Sequence, residues 1–135
     1  MLGIMPGFKK ILLVDDDIIT ITICERLMKI GNFADEVIAR SDGQQAREYL
    51  LENISSPPEI ILLDLHMSIM SGWEFLEWYE KWTASLGSYP PVYVLSSSLS
   101  REDSRRSQAY EQVKGYIVKP MTITHLKEIT SAFLK

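Results

Sequence analysis

The chain has 135 residues, 46% of them hydrophobic and 24% charged, which suits one compact domain over its whole length and leaves no room for two of ordinary size. Its net charge of −4 argues against direct binding of nucleic acid, because phosphate-backbone binders carry a clustered excess of Lys and Arg. No apolar run approaches the roughly 20 residues that span a bilayer, and MLGIMPGFKK lacks the layout of a cleavable signal, so a cytoplasmic protein with no membrane contact is expected.

Residues 1–8 read as a flexible N-terminal extension. A first strand follows near 10–14, closed by Asp15, Asp16 and Asp17. The first helix, near 17–30, is ambiguous, because IITITIC is β-branched and alternates with period two as a surface strand does. Helix is favoured by an Asp-rich start, a Gly31-Asn32 stop and a stripe of Ile19, Ile23, Leu27 and Ile30. The single cysteine, Cys24, cannot form an internal bridge and reads as a buried small side chain in a reducing compartment.

The second strand falls near 35–39 and the second helix near 42–53, with Asp42 or Ser41 as its cap. Pro57-Pro58 closes the loop before a third strand near 59–63, the most continuously apolar of the set, which ends on Asp64. The third helix, near 71–85, holds Trp73, Phe75, Trp78, Tyr79 and Trp82. Phe75, Tyr79 and Trp82 follow the stripe that faces a sheet, leaving Trp73 and Trp78 more exposed and available to a contact surface.

Pro90-Pro91 introduces the fourth strand, near 91–95, which runs into Ser96. The fourth helix, near 100–112, mixes Arg101, Arg105 and Arg106 with Glu102, Asp103 and Glu111 and reads as a solvated face. The fifth strand, near 115–118, leads to Lys119, and the last helix, near 122–134, has Thr122 or Thr124 as its cap. Strands alternating with helices in this way predict βα units and a parallel sheet covered on both faces.

Parallel strands point the same way, so residues that follow them gather at one edge of the sheet, where ligands bind at a change of strand order. Asp15, Asp16, Asp64, Ser96 and Lys119 all stand there. Like charges about 4 Å apart repel by about 4 kcal/mol at an effective dielectric near 20, so three carboxylates need neutralising. A proton is shared, or a cation binds; an all-oxygen site suits Mg²⁺ or Mn²⁺. A carboxylate beside such an ion can attack phosphorus, and Asp64, on the most apolar strand, is the nucleophile of choice. Lys119 supplies a cation and Ser96 a hydroxyl donor for the oxygens of an acyl phosphate, while Asp17 reads as a helix-start charge.

ILLVDDD, IILLDLHMSIMSGWEFL, PPVYVLSS and GYIVKP, in this order, resemble the receiver domain of two-component response regulators from about Lys9 to the C-terminus. The resemblance implies a flavodoxin-like, doubly wound α/β fold with five parallel strands in the order 2-1-3-4-5. It implies phosphorylation of Asp64, with Asp16, Asp64 and the backbone carbonyl of His66 binding Mg²⁺ and Asp15 helping through water. Ser96 and Lys119 would contact the phosphoryl group, and the Lys119–Pro120 peptide would be cis. Tyr116 would change rotamer as Ser96 moves, while His66 and Ser98 stand where the family tunes the lifetime of the acyl phosphate. Ser68 replaces a usual proline, which is expected to loosen the loop and weaken Mg²⁺ binding modestly.

The implied function is a phosphorelay module that catalyses only its own phosphorylation and dephosphorylation. A sensor histidine kinase or histidine phosphotransfer protein would donate, and the altered surface would engage another protein; dimerisation on phosphorylation is left open. A haloacid-dehalogenase-like phosphatase would want an acid two residues after the nucleophile, where this chain has His66. His66 as a metal ligand or phosphohistidine carrier is disfavoured, since the other histidine, His125, falls on the last helix. A flavodoxin-like cofactor binder would want phosphate-cradling Ser, Thr and Gly where the first loop carries acids.

Overall fold

A computed structural model describes residues 7–97 and 99–134. The elements alternate as β1 (Phe8–Val14), α1 (Ile18–Ile30), β2 (Ala34–Arg40), α2 (Gly43–Glu52), β3 (Ile60–Leu63), α3 (Gly72–Thr83), β4 (Val92–Ser96), α4 (Arg101–Gln108), β5 (Val113–Val118) and α5 (Ile123–Leu134). The strands form one parallel sheet in the order β2-β1-β3-β4-β5, so this is the doubly wound, flavodoxin-like fold expected.

Period-two alternation along the strands divides the core between the two faces. Ile11, Leu13, Ile60, Leu62, Leu95 and Ile117 pack against Ile21, Cys24 and Met28 of α1 and Leu126 and Ile129 of α5. Leu12, Val14, Ile61, Leu63, Val92 and Val94 meet Ala46 and Leu50 of α2 and Phe75, Leu76 and Tyr79 of α3. All four residues of β3 are fully buried, as a central strand covered on both sides requires.

Several local expectations need correcting. Phe8 belongs to β1, not to an extension: it is 3% exposed, donates its N–H to Phe33 O at 2.7 Å and packs edge-on to Phe33 and Phe133. Residues 1–6 of that extension lie outside the described residues. On α1 the buried line is Ile21, Cys24 and Met28, while Ile19, Ile23 and Ile30 are 66%, 48% and 76% exposed. Apolar residues stand on every side of the first turns, so the period fits two faces; the Asp17 cap, accepting from Ile19 N at 3.0 Å, fixes where the helix begins.

On α3 the sheet-facing residues are Phe75, Leu76, Tyr79 and Thr83. Trp82, expected there, is half-buried beside the line and stacks on Trp78 with ring centres 4.9 Å apart. Trp73 is half-buried too, so neither it nor Trp78 stands free in solvent. Helix α4 stops at Gln108, short of the expected 112, because Tyr110 turns its ring into the core and Gln112 O already accepts from Val92 N at 2.9 Å. Arg101, Arg105 and Arg106 are exposed as expected.

The other helices start on the caps their sequences offer. Asp42 accepts from Gln45 N for α2, and Ser71 with Glu74 forms a reciprocal capping box for α3. Thr122 Oγ1 accepts from His125 N at 3.3 Å, while His125 Nδ1 accepts from Thr122 N at 3.0 Å. That exchange occupies His125 with helix capping. Among the described residues no helix is long and apolar enough to cross a membrane.

Candidate functional site

Register alone brings the two principal acids together. Val14 of β1 lies opposite Leu63 of β3, and Asp64 N donates to Val14 O at 2.9 Å, so Asp15 and Asp64 leave adjacent strands side by side where the strand order reverses. The same logic acts one strand further on: Ser96 lies opposite Val118, and Lys119 N donates to Ser96 O at 2.8 Å. The Lys119–Pro120 peptide bond is cis.

The side chains converge. Asp15 is fully buried; its Oδ1 accepts from Asp17 N at 2.9 Å and its Oδ2 lies 2.7 Å from Lys119 Nζ. Asp64, 5% exposed, accepts from His66 N at 3.3 Å and stands 3.6 Å from the same ammonium. Asp16 is exposed at the mouth, and one carboxylate oxygen from each of Asp15, Asp16 and Asp64 falls within 4.8 Å of the others. Ser96 is fully buried, and Tyr116 is half-buried on β5 against the core beneath α3. Ser98 lies outside the described residues.

Glycines shape the wall behind Asp64. A Cβ on Gly72 would stand 2.3 Å from Asp64 O, so only glycine lets α3 start this close to the loop that follows Asp64. Gly43 was not singled out by sequence, yet its N–H donates to Met70 O at 2.9 Å and a Cβ there would meet that oxygen at the same distance. Its only sequence signal is its place just after a capping Asp. Between these supports Met70 N donates to Ser68 O at 2.8 Å, closing a γ-turn on Ile69 with φ of 68°.

Crowded carboxylates move the proton affinities as physics requires. Burial, then the Asp15 charge, pushes the Asp64 carboxyl up to about 6, against the pull of Lys119. Burial opposes the charge on Lys119, but Asp15 and Asp64 outweigh it and hold the ammonium above its ordinary value. Cys24, beneath the site, is raised to about 11 by burial and by Asp15, which suits an inert core thiol. A set of three carboxylates that one ammonium does not neutralise, all hard oxygen donors, fits a divalent cation.

His66 and Asp103 form a contact that sequence reasoning missed: His66 Nε2 lies 3.4 Å from Asp103 Oδ2. The pair joins residues far apart in the chain, and no local pattern could have shown it.

The family model of the response regulator receiver domain matches residues 11–131. Among solved structures, a two-component response regulator from Cytophaga hutchinsonii is 26% identical with a TM-score of 0.88, over 96% of this chain and 98% of that one. The phosphorylated cyanobacterial phytochrome response regulator RcpA is 29% identical with a TM-score of 0.73, over 94% and 91%. The Mn²⁺-bound form of response regulator Rcp1 is 29% identical with a TM-score of 0.70, over 93% and 91%. No curated protein matches the sequence.

Proposed function

The chain belongs to the response regulator receiver family, a family of two-component signalling domains, and from that premise we propose that Asp64 accepts a phosphoryl group from a phosphohistidine donor in the presence of Mg²⁺. The observation that carries this is the Asp64 carboxylate itself, nearly buried at the sheet edge, 3.6 Å from the Lys119 ammonium and clustered with two further acids. The similar RcpA was captured phosphorylated and the similar Rcp1 with Mn²⁺, which supports the same chemistry here.

Asp15, Asp16, Asp64 and the backbone carbonyl of His66 would hold the ion, Asp15 through water. When bound, the ion neutralises phosphoryl oxygens and relieves the repulsion among the acids. Asp64 Oδ forms the new bond to phosphorus as the P–N bond of the donor breaks, and the departing imidazole keeps the electron pair. Lys119, already shared between Asp15 and Asp64, turns to the phosphoryl oxygens, and the Ser96 hydroxyl donates to another. The added charge draws Ser96 and the start of the following loop inward, Tyr116 follows, and the face formed by α4, β5 and α5 changes for a partner protein.

Hydrolysis of the acyl phosphate, tuned by His66 and Ser98, resets the module, which acts on no separate substrate. The histidine donor is a sensor kinase or a phosphotransfer protein. A phosphotransfer protein carrying ³²P on its histidine tests the proposal: label passes to the wild type with Mg²⁺ and stays on the donor with EDTA or with Asp64→Asn. Label that reaches Asp64→Asn as fast as wild type contradicts it.

A further inference from the structure

Helix α4, with the sequence REDSRRSQ, carries no apolar side chain, and Ser107 is its one buried residue. It therefore has no hydrophobic face to fix its position against the sheet. What holds its flank is a seam of side chains facing α3 and the phosphoacceptor loop. At the head of the seam, Asp103 Oδ2 lies 3.4 Å from His66 Nε2. One turn along, the Arg106 guanidinium stacks over the Trp73 ring at 4.0 Å from its centre. Just past the helix end, the Tyr110 hydroxyl donates to Glu77 Oε2 at 3.1 Å.

The head of this seam touches the chemistry. His66 N donates to Asp64 Oδ1, so the backbone of His66 is tied to the reacting carboxylate while the far nitrogen of its ring is tied to α4. Its side chain is 57% exposed, at the mouth of the site, whereas that of Asp103 is 22% exposed. Held at both ends, the imidazole spans from the phosphoacceptor loop to α4. A surface pair of this kind adds little stability, so its consequence is geometric.

We propose that Asp103 is a positioning residue for the acyl phosphate on Asp64, acting through His66, so that the placement of α4 sets how readily water reaches phosphorus. In the step concerned, the water oxygen bonds to phosphorus as the bond to Asp64 Oδ breaks, giving the free carboxylate, inorganic phosphate and a proton. The tethered imidazole stands at the edge by which that water enters. Released, it swings away and hydrolysis quickens. A partner that grips α4 and keeps the seam closed lengthens the life of the phosphate, and one that draws α4 off shortens it. The inference rests on the phosphoacceptor role proposed for Asp64.

Two measurements test it. In the unphosphorylated protein, Asp103→Ala shifts the His66 imidazole resonances in the NMR spectrum and leaves those of His125 in place; no shift at His66 overturns the tie, whatever the site does with phosphate. After labelling by acetyl phosphate with Mg²⁺ and removal of the donor, Asp103→Ala shortens the phosphate half-life at least threefold, Asp103→Asn restores most of it by keeping an acceptor oxygen, and Asp103→Ala has no further effect in a His66→Ala background. An unchanged half-life overturns the proposal, as does an equal shortening when His66 is absent, which assigns the effect to α4 without His66. A wild type that takes no phosphate contradicts the function proposed for Asp64 instead, and the NMR result still decides the tie.

Discussion

The role proposed for Asp64 asks two things of it at once: to be nearly buried, and charged enough to attack. Without a bound cation its carboxyl ionises at about 6 instead of the ordinary 3.8, because burial and the Asp15 charge both disfavour the anion. A raised carboxyl affects stability in a definite sense. Below pH 3.8 folded and unfolded forms are both protonated and there is no penalty; between 3.8 and about 6 only the unfolded form ionises; above about 6 the folded protein carries the whole cost. A displacement of that size corresponds to about 3 kcal/mol, reduced in practice by rearrangement of Lys119. Asp64→Asn in EDTA is therefore expected to gain about 1–3 kcal/mol in urea denaturation at pH 7, with the gain shrinking as pH falls toward 4. A variant no more stable than wild type at pH 7 contradicts this account of the site.

At the scale of elements, the loop that follows Asp64 is where backbone strain sits. Ile69 has φ of 68°, a left-handed value that a β-branched residue adopts only at a cost of about 1–3 kcal/mol, and its side chain is 76% exposed, so little packing offsets it. Ile69→Asn should raise stability by about 1 kcal/mol in urea denaturation, and an unchanged midpoint would show that the turn is unstrained. Ser68, one residue earlier, bears on the same loop: Ser68→Pro is expected to tighten Mg²⁺ binding about twofold to fivefold by restricting the unbound loop, and an unchanged titration removes that idea. Elements whose ends are marked by chemistry were legible in the sequence, such as α2 behind Asp42 and α5 behind Thr122. The buried face of α1 was not, because Ile18, Ile19, Ile21 and Ile23 supply apolar side chains to both candidate stripes. The end of α4 was also hidden, since the burial of Tyr110 that ends it is a tertiary event.

Across the whole molecule, the sheet converts distant segments into neighbours, and this much follows from the alternation of apolar strand runs with helical segments. Asp15, Asp64, Ser96 and Lys119 each close a strand, and parallel register then places them at one edge. What escaped the sequence depends on the approach of loops and helices: Gly43 against Met70 O, and Asp103 against His66. These contacts support the site from its flanks, where no periodic pattern reports them. The most direct measurement is intact-protein mass spectrometry after incubation with acetyl phosphate, which separates the chemistry of the site from recognition of a protein donor. If Asp64 accepts phosphate as proposed, the wild type gains one phosphoryl group in a step that requires Mg²⁺, the gain is labile to base, and Asp64→Asn shows none; no gain in the wild type, or an equal gain in Asp64→Asn, would contradict the role proposed for Asp64.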